Sequence, residues 1–151
     1  MRAYVGLGSN LGDRGAMLSR ALELLGNDAD LELVATSTVR ETEPVGLREQ
    51  PPFLNAAAAI ETELSARLLL DRLLEIERRL GRVREGPRFG PRTIDLDLLL
   101  LGDQVVDEPG LCVPHPRIAE RRFVLEPLHE LDPRLEVPGL GSVATLLASL
   151  Q

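Results

Sequence analysis

The chain has 151 residues, 44% hydrophobic and 27% charged, with a formal net charge of −7, enough for one domain with a real core and ordinary for a soluble globular protein. The acidic balance argues against a nucleic-acid partner, which needs a basic face, and no apolar run approaches the roughly 20 residues that span a bilayer. All seventeen basic residues are arginine, which removes the Walker A loop and the protein kinases, since both need a lysine.

Residues 2–8, "RAYVGLG", read as a first strand running straight from the N-terminus, with no secretory leader visible. Met17, Leu18, Ala21, Leu22 and Leu25 recur at helical spacing over 14–25, and Gly26 and Asn27 stop that helix. Residues 31–42, "LELVATSTVRET", are rich in β-branched side chains and predict one second strand. The loop 43–52 holds three prolines and a glycine and is long enough to suspect function. "FLNAAAAIETE", 53–63, carries four alanines that favour helix. It is still read as a strand, because Ser65 is the natural N-cap of the next helix, 66–80, with Leu69, Leu73, Ile76 and Leu80 on one side.

A second loop, 81–92, leads into the strand "TIDLDLLLL". "GDQVVDEPG" then predicts a tight turn and a short edge strand. "VPHPRIAERRFVLEPLHELDP" predicts one or two short helices broken by Pro127, and a last helix covers 142–150. The order β-α-β-β-α-β is the ferredoxin-like arrangement, an α+β fold whose antiparallel sheet carries helices on one face. No repeat or linker divides the chain, so residues 1–151 are expected to form a single domain.

The chemistry concentrates at 90–103, "GPRTIDLDLLLLGD". On a strand, residues i and i+2 share a face. Thr93, Asp95 and Asp97 therefore line one side, while Ile94, Leu96 and Leu98 turn toward the core. The two carboxylates stand roughly 6–7 Å apart at their roots, close enough to raise each other's pKa. A divalent cation relieves that repulsion, and magnesium takes one or two carboxylates together with substrate phosphates. Arginine pairing at a sheet edge is the structural alternative. The preceding stretch, "RRLGRVREGPRFGPR", sets six arginines against Glu85, six minus one or +5 in a chain of −7. A basic loop beside paired acids suits a nucleoside triphosphate. The alternative is a solvated charge run; Gly81, Gly86 and Gly90 favour a loop that closes over substrate.

Taken with "YVGLGSNLGDR", "PPFLNAAAAIET" and "VPHPRIAERRFVLEPL", the segment "RFGPRTIDLDLLLLGD" resembles the 6-hydroxymethyl-7,8-dihydropterin pyrophosphokinases of folate biosynthesis over nearly the whole chain. The resemblance implies a ferredoxin-like fold and transfer of pyrophosphate from ATP to the pterin's hydroxymethyl oxygen, leaving AMP. It implies that Asp95 and Asp97 hold two magnesium ions, Asp95 also bordering the pterin, and that Arg82 and Arg92 serve the phosphates catalytically. It puts Glu77, Arg84, Leu98, His115 and Arg121 on the ATP side. The pterin is expected between Phe53 and Phe123, its polar edge read by Asn55 with Thr42 and the backbone at Val45. A flat heterocycle gains from stacking on both faces, and its donor–acceptor edge needs an amide or main chain.

The chain departs from the family pattern at Phe53 and Phe89, where a tyrosine and a tryptophan are familiar. It departs again at Glu85 and Pro116, in place of a basic residue and a tyrosine, and at Leu74, in place of a glutamine. Cys112 is expected as a small buried filler or beside the nucleotide, and a chain with one cysteine fits a reducing cytoplasm. His129 is expected at the surface or a helix end. A monomer with small-molecule partners only, no nucleic acid and no membrane, completes the expectation.

Three rivals remain at this stage. Gly6, Gly8 and Gly12 follow a strand somewhat as in a dinucleotide-binding turn, but their spacing is G-x-G-x-x-x-G and no series of βαβ units follows. A nucleotidyltransferase would pair "GS" with "DLD", yet Ser9 and Asp95 lie far apart, and it would release pyrophosphate rather than AMP. A ferredoxin-like module that only binds a small ligand would have no need of Asp95 or Asp97.

Overall fold

The computed structural model describes residues 1–9, 14–42, 53–81 and 94–150. In chain order these form β1 (Arg2–Ser9), α1 (Arg14–Asn27), β2 (Leu31–Thr36), β3 (Arg40–Thr42), β4 (Phe53–Thr62), α2 (Ala66–Arg79) and β5 (Asp95–Leu101). Then come β6 (Val106–Glu108), β7 (Leu111–Val113), a 3-10 turn (Ile118–Glu120), α3 (Arg122–Leu131), β8 (Glu136–Val137), β9 (Gly141–Ser142) and α4 (Val143–Ser149). The loop expected at 43–52 and, past Gly81, the loop expected at 81–92, with Val45, Arg82, Arg84, Phe89 and Arg92, lie outside the described residues.

The main sheet has the order β2-β4-β1-β5, with β3 continuing beside β4, and its pairings are antiparallel. Each helix, α1 and α2, connects strands that are not neighbours, which is the split βαβ crossover of the ferredoxin-like fold. A dinucleotide-binding sheet would instead set parallel strands side by side.

The alternation of side chains divides the core. Ala3, Val5 and Leu7 of β1, Ala58 and Ile60 of β4, and Leu96, Leu98 and Leu101 of β5 meet Leu18, Ala21 and Leu25 of α1 and Leu69, Leu73 and Ile76 of α2. On the other face, Tyr4, Ala57, Ala59, Leu99 and Leu100 meet Val124, Leu125 and Leu128 of α3 and Val143 of α4. The two helices of the βαββαβ core, α1 and α2, lie on one face as expected, while α3 and α4, which follow that core, cover the second face, and β4 is buried on both. That explains why "AAAA" is a strand. All four alanines are buried, and small side chains let two helical layers approach a central strand, so tertiary packing overrides local propensity.

Ser65 is the N-cap of α2, accepting from the Leu68 N–H at 3.2 Å. Three other readings change. The strand expected over 31–42 is interrupted at 37–39, because Ser37 bonds Ala57 through its own N–H (2.9 Å) and accepts the Ala57 N–H on its hydroxyl (2.9 Å). The strand after the tight turn, β6, pairs with β7 in a separate small sheet rather than edging the main one. Pro127 lies inside α3 without ending it. It forfeits the bond to the Phe123 carbonyl, but Leu125, Pro127 and Leu128 are buried together and hold the helix on the sheet.

A polar brace ties β3 and the bend before it to α3. Thr38 donates its N–H and hydroxyl to Glu130, both at 2.8 Å, and Arg40 reaches Glu126 (3.2 Å) and Glu130 (2.8 Å). Among the described residues no helix is long and apolar enough to cross a membrane.

Candidate active site

Register places the expected site residues in rows across the second face. Asp95 stands opposite Gly8, and Gly8 stands opposite Asn55. The next row runs from Asp97 through Gly6 to Ala57. Carboxylates therefore stand on one side of a bare strip, with a buried amide (Asn55, 8% exposed) on the other. Asp95 and Asp97 are half-buried, while Leu96 and Leu98 between and beyond them are buried. The two acids thus share a face, as the i, i+2 spacing predicts.

The strip is tightly built. A Cβ placed on Gly8 would come within 2.9 Å of Asn55 Oδ1 and 3.5 Å of Phe53 Cδ1. Only a glycine leaves the Asn55 amide where it is, since the Phe53 distance is an ordinary contact. Phe53 opens β4 and is half-buried, and Thr42 pairs opposite it on β3. Phe123, in the first turn of α3, is half-buried and packs against the second core cluster. Arg121, the residue that precedes α3, lies with Cζ 5.5 Å from the centre of the Phe123 ring, within cation–π reach.

Arg121 also links this helix end to the acids. Burial and then Arg117 pull its pKa below the ordinary arginine value, while Asp97, Glu120 and Asp95 pull it up. It stays a cation in the field of both aspartates. His115 is held below its usual 6.5 by burial first, then by Arg121 and Arg117. Its backbone N–H is fixed on the Leu99 carbonyl at 3.0 Å, and its Nδ1 accepts the Arg117 N–H at 3.2 Å. The neutral ring assigned by those bonds carries its proton on Nε2, which is then a donor. Arg117, Arg121 and His115 thus form a donor-rich corner beside the acids. Arg117 was not singled out from sequence, and its proximity comes from the fold of the segment after β7.

Two of the expected ATP-side residues are buried. Leu98 is 5% exposed and packs in the core under α1 and α2. The 2% exposed carboxylate of Glu77, on α2, accepts the Leu96 N–H at 2.7 Å. The strip at Gly6 and Gly8 has no sequence signal of its own, because two glycines on one face of a strand become a bare floor only when β4 and β5 pair on either side. Cys112 is exposed on β7, not a buried filler, and His129 sits in the last turn of α3.

The donor set can be tested against magnesium. Among the described residues there is no group of three His, Cys, Asp or Glu side chains that could hold an ion. Two neighbouring carboxylates on an open face do fit an ion completed by water and substrate phosphate.

The sequence model of the 7,8-dihydro-6-hydroxymethylpterin-pyrophosphokinases matches residues 4–133. The 2-amino-4-hydroxy-6-hydroxymethyldihydropteridine pyrophosphokinase of Methylorubrum extorquens is 49% identical over 149 residues, 99% of this chain and 93% of that protein. The Bacillus subtilis enzyme of that name is 46% identical over 134 residues, covering 89% and 80%. Among solved structures, a triple mutant of Plasmodium falciparum HPPK-DHPS with STZ-DHP superposes with a TM-score of 0.76 over 97% of this chain at 14% identity. An HPPK-DHPS in complex with substrates gives 0.76 over 98% at 11%. This chain spans 42% and 43% of those two longer chains, and the likeness at such identity is one of fold. Fold and relatives place the molecule among transferases of phosphorylated groups built on a ferredoxin-like sheet. The chain belongs to the 7,8-dihydro-6-hydroxymethylpterin-pyrophosphokinase family, whose reaction is pyrophosphoryl transfer from ATP to hydroxymethyldihydropterin in folate biosynthesis.

Proposed function

We propose that this transfer takes place on the face bearing Asp95, Asp97, Gly8 and Asn55, with magnesium–ATP as donor and 6-hydroxymethyl-7,8-dihydropterin as acceptor. The observation that carries the reading is the row Asp95–Gly8–Asn55 across three paired strands. A flat bicycle laid on the glycine meets an amide at one edge and a carboxylate at the other. Phe53 and Phe123 are the rings available to its faces, and the family resemblance assigns Thr42 and the backbone around Val45 to its edge.

The pterin hydroxyl oxygen attacks the β-phosphorus of ATP. The bond from that phosphorus to the oxygen bridging the α-phosphate breaks, and AMP leaves. Asp95 and Asp97 would hold magnesium, two ions in the family pattern, which when bound would neutralise charge at the phosphates. The chain's own residues do the remaining work. Asn55 and the rings orient the acceptor, which turns an encounter into a near-attack geometry. Arg121 and the Nε2–H of His115 offer donors to the nucleotide, and the family resemblance assigns Arg82 and Arg92 to the phosphates and Arg84 to the ATP side. Catalysis on this reading is positional and electrostatic.

The protein acts as a single-domain monomer in the cytoplasm. Its one cysteine cannot close an internal disulfide and lies exposed as a thiol. The test is to mix protein, magnesium, ATP and the pterin and analyse the products. AMP with the pterin diphosphate is expected. Pyrophosphate released in place of AMP would make the protein a nucleotidyltransferase, and turnover undiminished in a folded Asp97→Ala protein would remove the metal assignment.

A further inference from the structure

The Asp-x-Asp strand is gripped from both sides of its backbone. On one side is β1, which faces Asp95 and Asp97 through Gly8 and Gly6. Among the described residues β5 is the last strand of the sheet. Backbone N–H groups alternate in direction along a strand. The N–H of Leu96, the residue between the two aspartates, therefore turns away from β1, where no further strand receives it. It donates to Glu77 Oε2 at 2.7 Å, in the bond described above.

An outward N–H at a sheet edge is ordinarily left to water. Here it is covered by α2 and met by a buried carboxylate. A charge-assisted bond to a backbone N–H is about twice as strong as a neutral one. Glu77 belongs to the last two turns of α2, whose Ile76 and Leu73 are packed into the core. Its position is therefore as rigid as the helix.

We infer that Glu77 is a positioning residue for the metal-binding pair: it acts through the Leu96 amide, fixing the β5 backbone so that the Asp95 and Asp97 carboxylates stand at the spacing magnesium–ATP requires. This rests on the reading of those aspartates as metal ligands given above. It replaces a direct contact between Glu77 and nucleotide.

The test compares Glu77→Gln, which keeps an oxygen acceptor, with Glu77→Leu, which keeps the volume and removes it. Two quantities are read. Amide hydrogen exchange at Leu96 is followed in protein free of metal and nucleotide. The magnesium concentration for half-saturation is followed by equilibrium titration with a non-hydrolysable ATP analogue. Leu96 exchange is expected to accelerate at least 100-fold in Glu77→Leu and to stay within about threefold in Glu77→Gln. The magnesium requirement is expected to rise about tenfold in the leucine variant and to be restored by glutamine. If glutamine raises the magnesium requirement as much as leucine while Leu96 stays protected, Glu77 acts through its charge on the ligand and the inference is overturned. Should Glu77→Leu not fold, Glu77→Gln decides alone by those two readouts. An Asp97→Asn protein that binds magnesium and analogue as tightly as the parent would overturn the metal reading itself, whatever Glu77 does.

Discussion

Substituting Gly8 by alanine tests the cradle most directly. The added methyl carbon would sit 2.9 Å from Asn55 Oδ1, with Phe53 Cδ1 at 3.5 Å and the Leu54 carbonyl oxygen at 3.9 Å. The first contact is too short, so the amide must retreat by roughly 0.5 Å to reach ordinary van der Waals separation. Asn55 is buried and has little room to do so. The hydrogen bond proposed from it to the pterin edge would then be misaligned, at a cost of about 1–1.5 kcal/mol, or roughly a tenfold rise in the pterin Kd. Replacing a strand glycine recovers about 0.5–1 kcal/mol of chain entropy, which offsets the crowding, so Tm should move by only a few degrees. Calorimetric titration of the pterin with magnesium and an ATP analogue present reads the affinity, and a thermal melt reads the fold. Gly6→Ala is the control, since its Cβ would meet Leu99 carbons at ordinary contact distances of 3.4–3.7 Å, and its pterin Kd should stay within about threefold. Gly8→Ala binding pterin like the parent, or Gly6→Ala failing equally, would refute the argument.

Asp97→Ala should keep its circular dichroism spectrum and lose on the order of a thousandfold in kcat/KM, as the loss of a metal's charge stabilisation implies; AMP release assayed at saturating magnesium decides it. Because the folded His115 pKa is held below 6.5 by burial, Arg121 and Arg117, the unfolded chain takes up that proton first. This component of stability is therefore full above about pH 6.5 and lost as pH falls through the folded value. Urea melts across that window should show a shallower pH slope for His115→Gln than for the parent, and equal slopes would contradict the assignment. Ser65→Ala removes the cap of α2 and should cost about 1 kcal/mol, lowering Tm by roughly 2–4 °C. Leu73→Ala empties a fully buried site between α2 and the sheet and should cost about 2–5 kcal/mol by denaturant titration.

What the sequence discloses is set by how local each signal is. The period of two at Asp95, Leu96 and Asp97 assigns faces without help from the rest of the chain, and Ser65 marks its helix start from within four residues. The split of 31–42 cannot be read that way, since Ser37 leaves the strand for Ala57, twenty residues on. Pro127 reads as a break because the rule for proline counts the lost bond and not the burial that holds α3 together. The strip under the proposed acceptor is equally hidden: Gly8 matters through the absence of a side chain, and its neighbour Asn55 is known only once β1 and β4 are in register. Glu77 reads as one charge among several on an amphipathic helix until α2 is laid against β5.

The two walls of the proposed pocket are finished at different times. Asp95, Asp97, Gly8, Phe53 and Asn55 all lie within the chain up to Leu101, whereas Phe123 and Arg121 arrive with a layer appended behind the sheet and fastened by Thr38 and Arg40 to Glu126 and Glu130. A chain emerging from the ribosome therefore has its acidic patch and its amide well before it has the second ring. Acceptor capture becomes a late event of biosynthesis, and a bound pterin should act as a rivet joining the appended layer to the sheet.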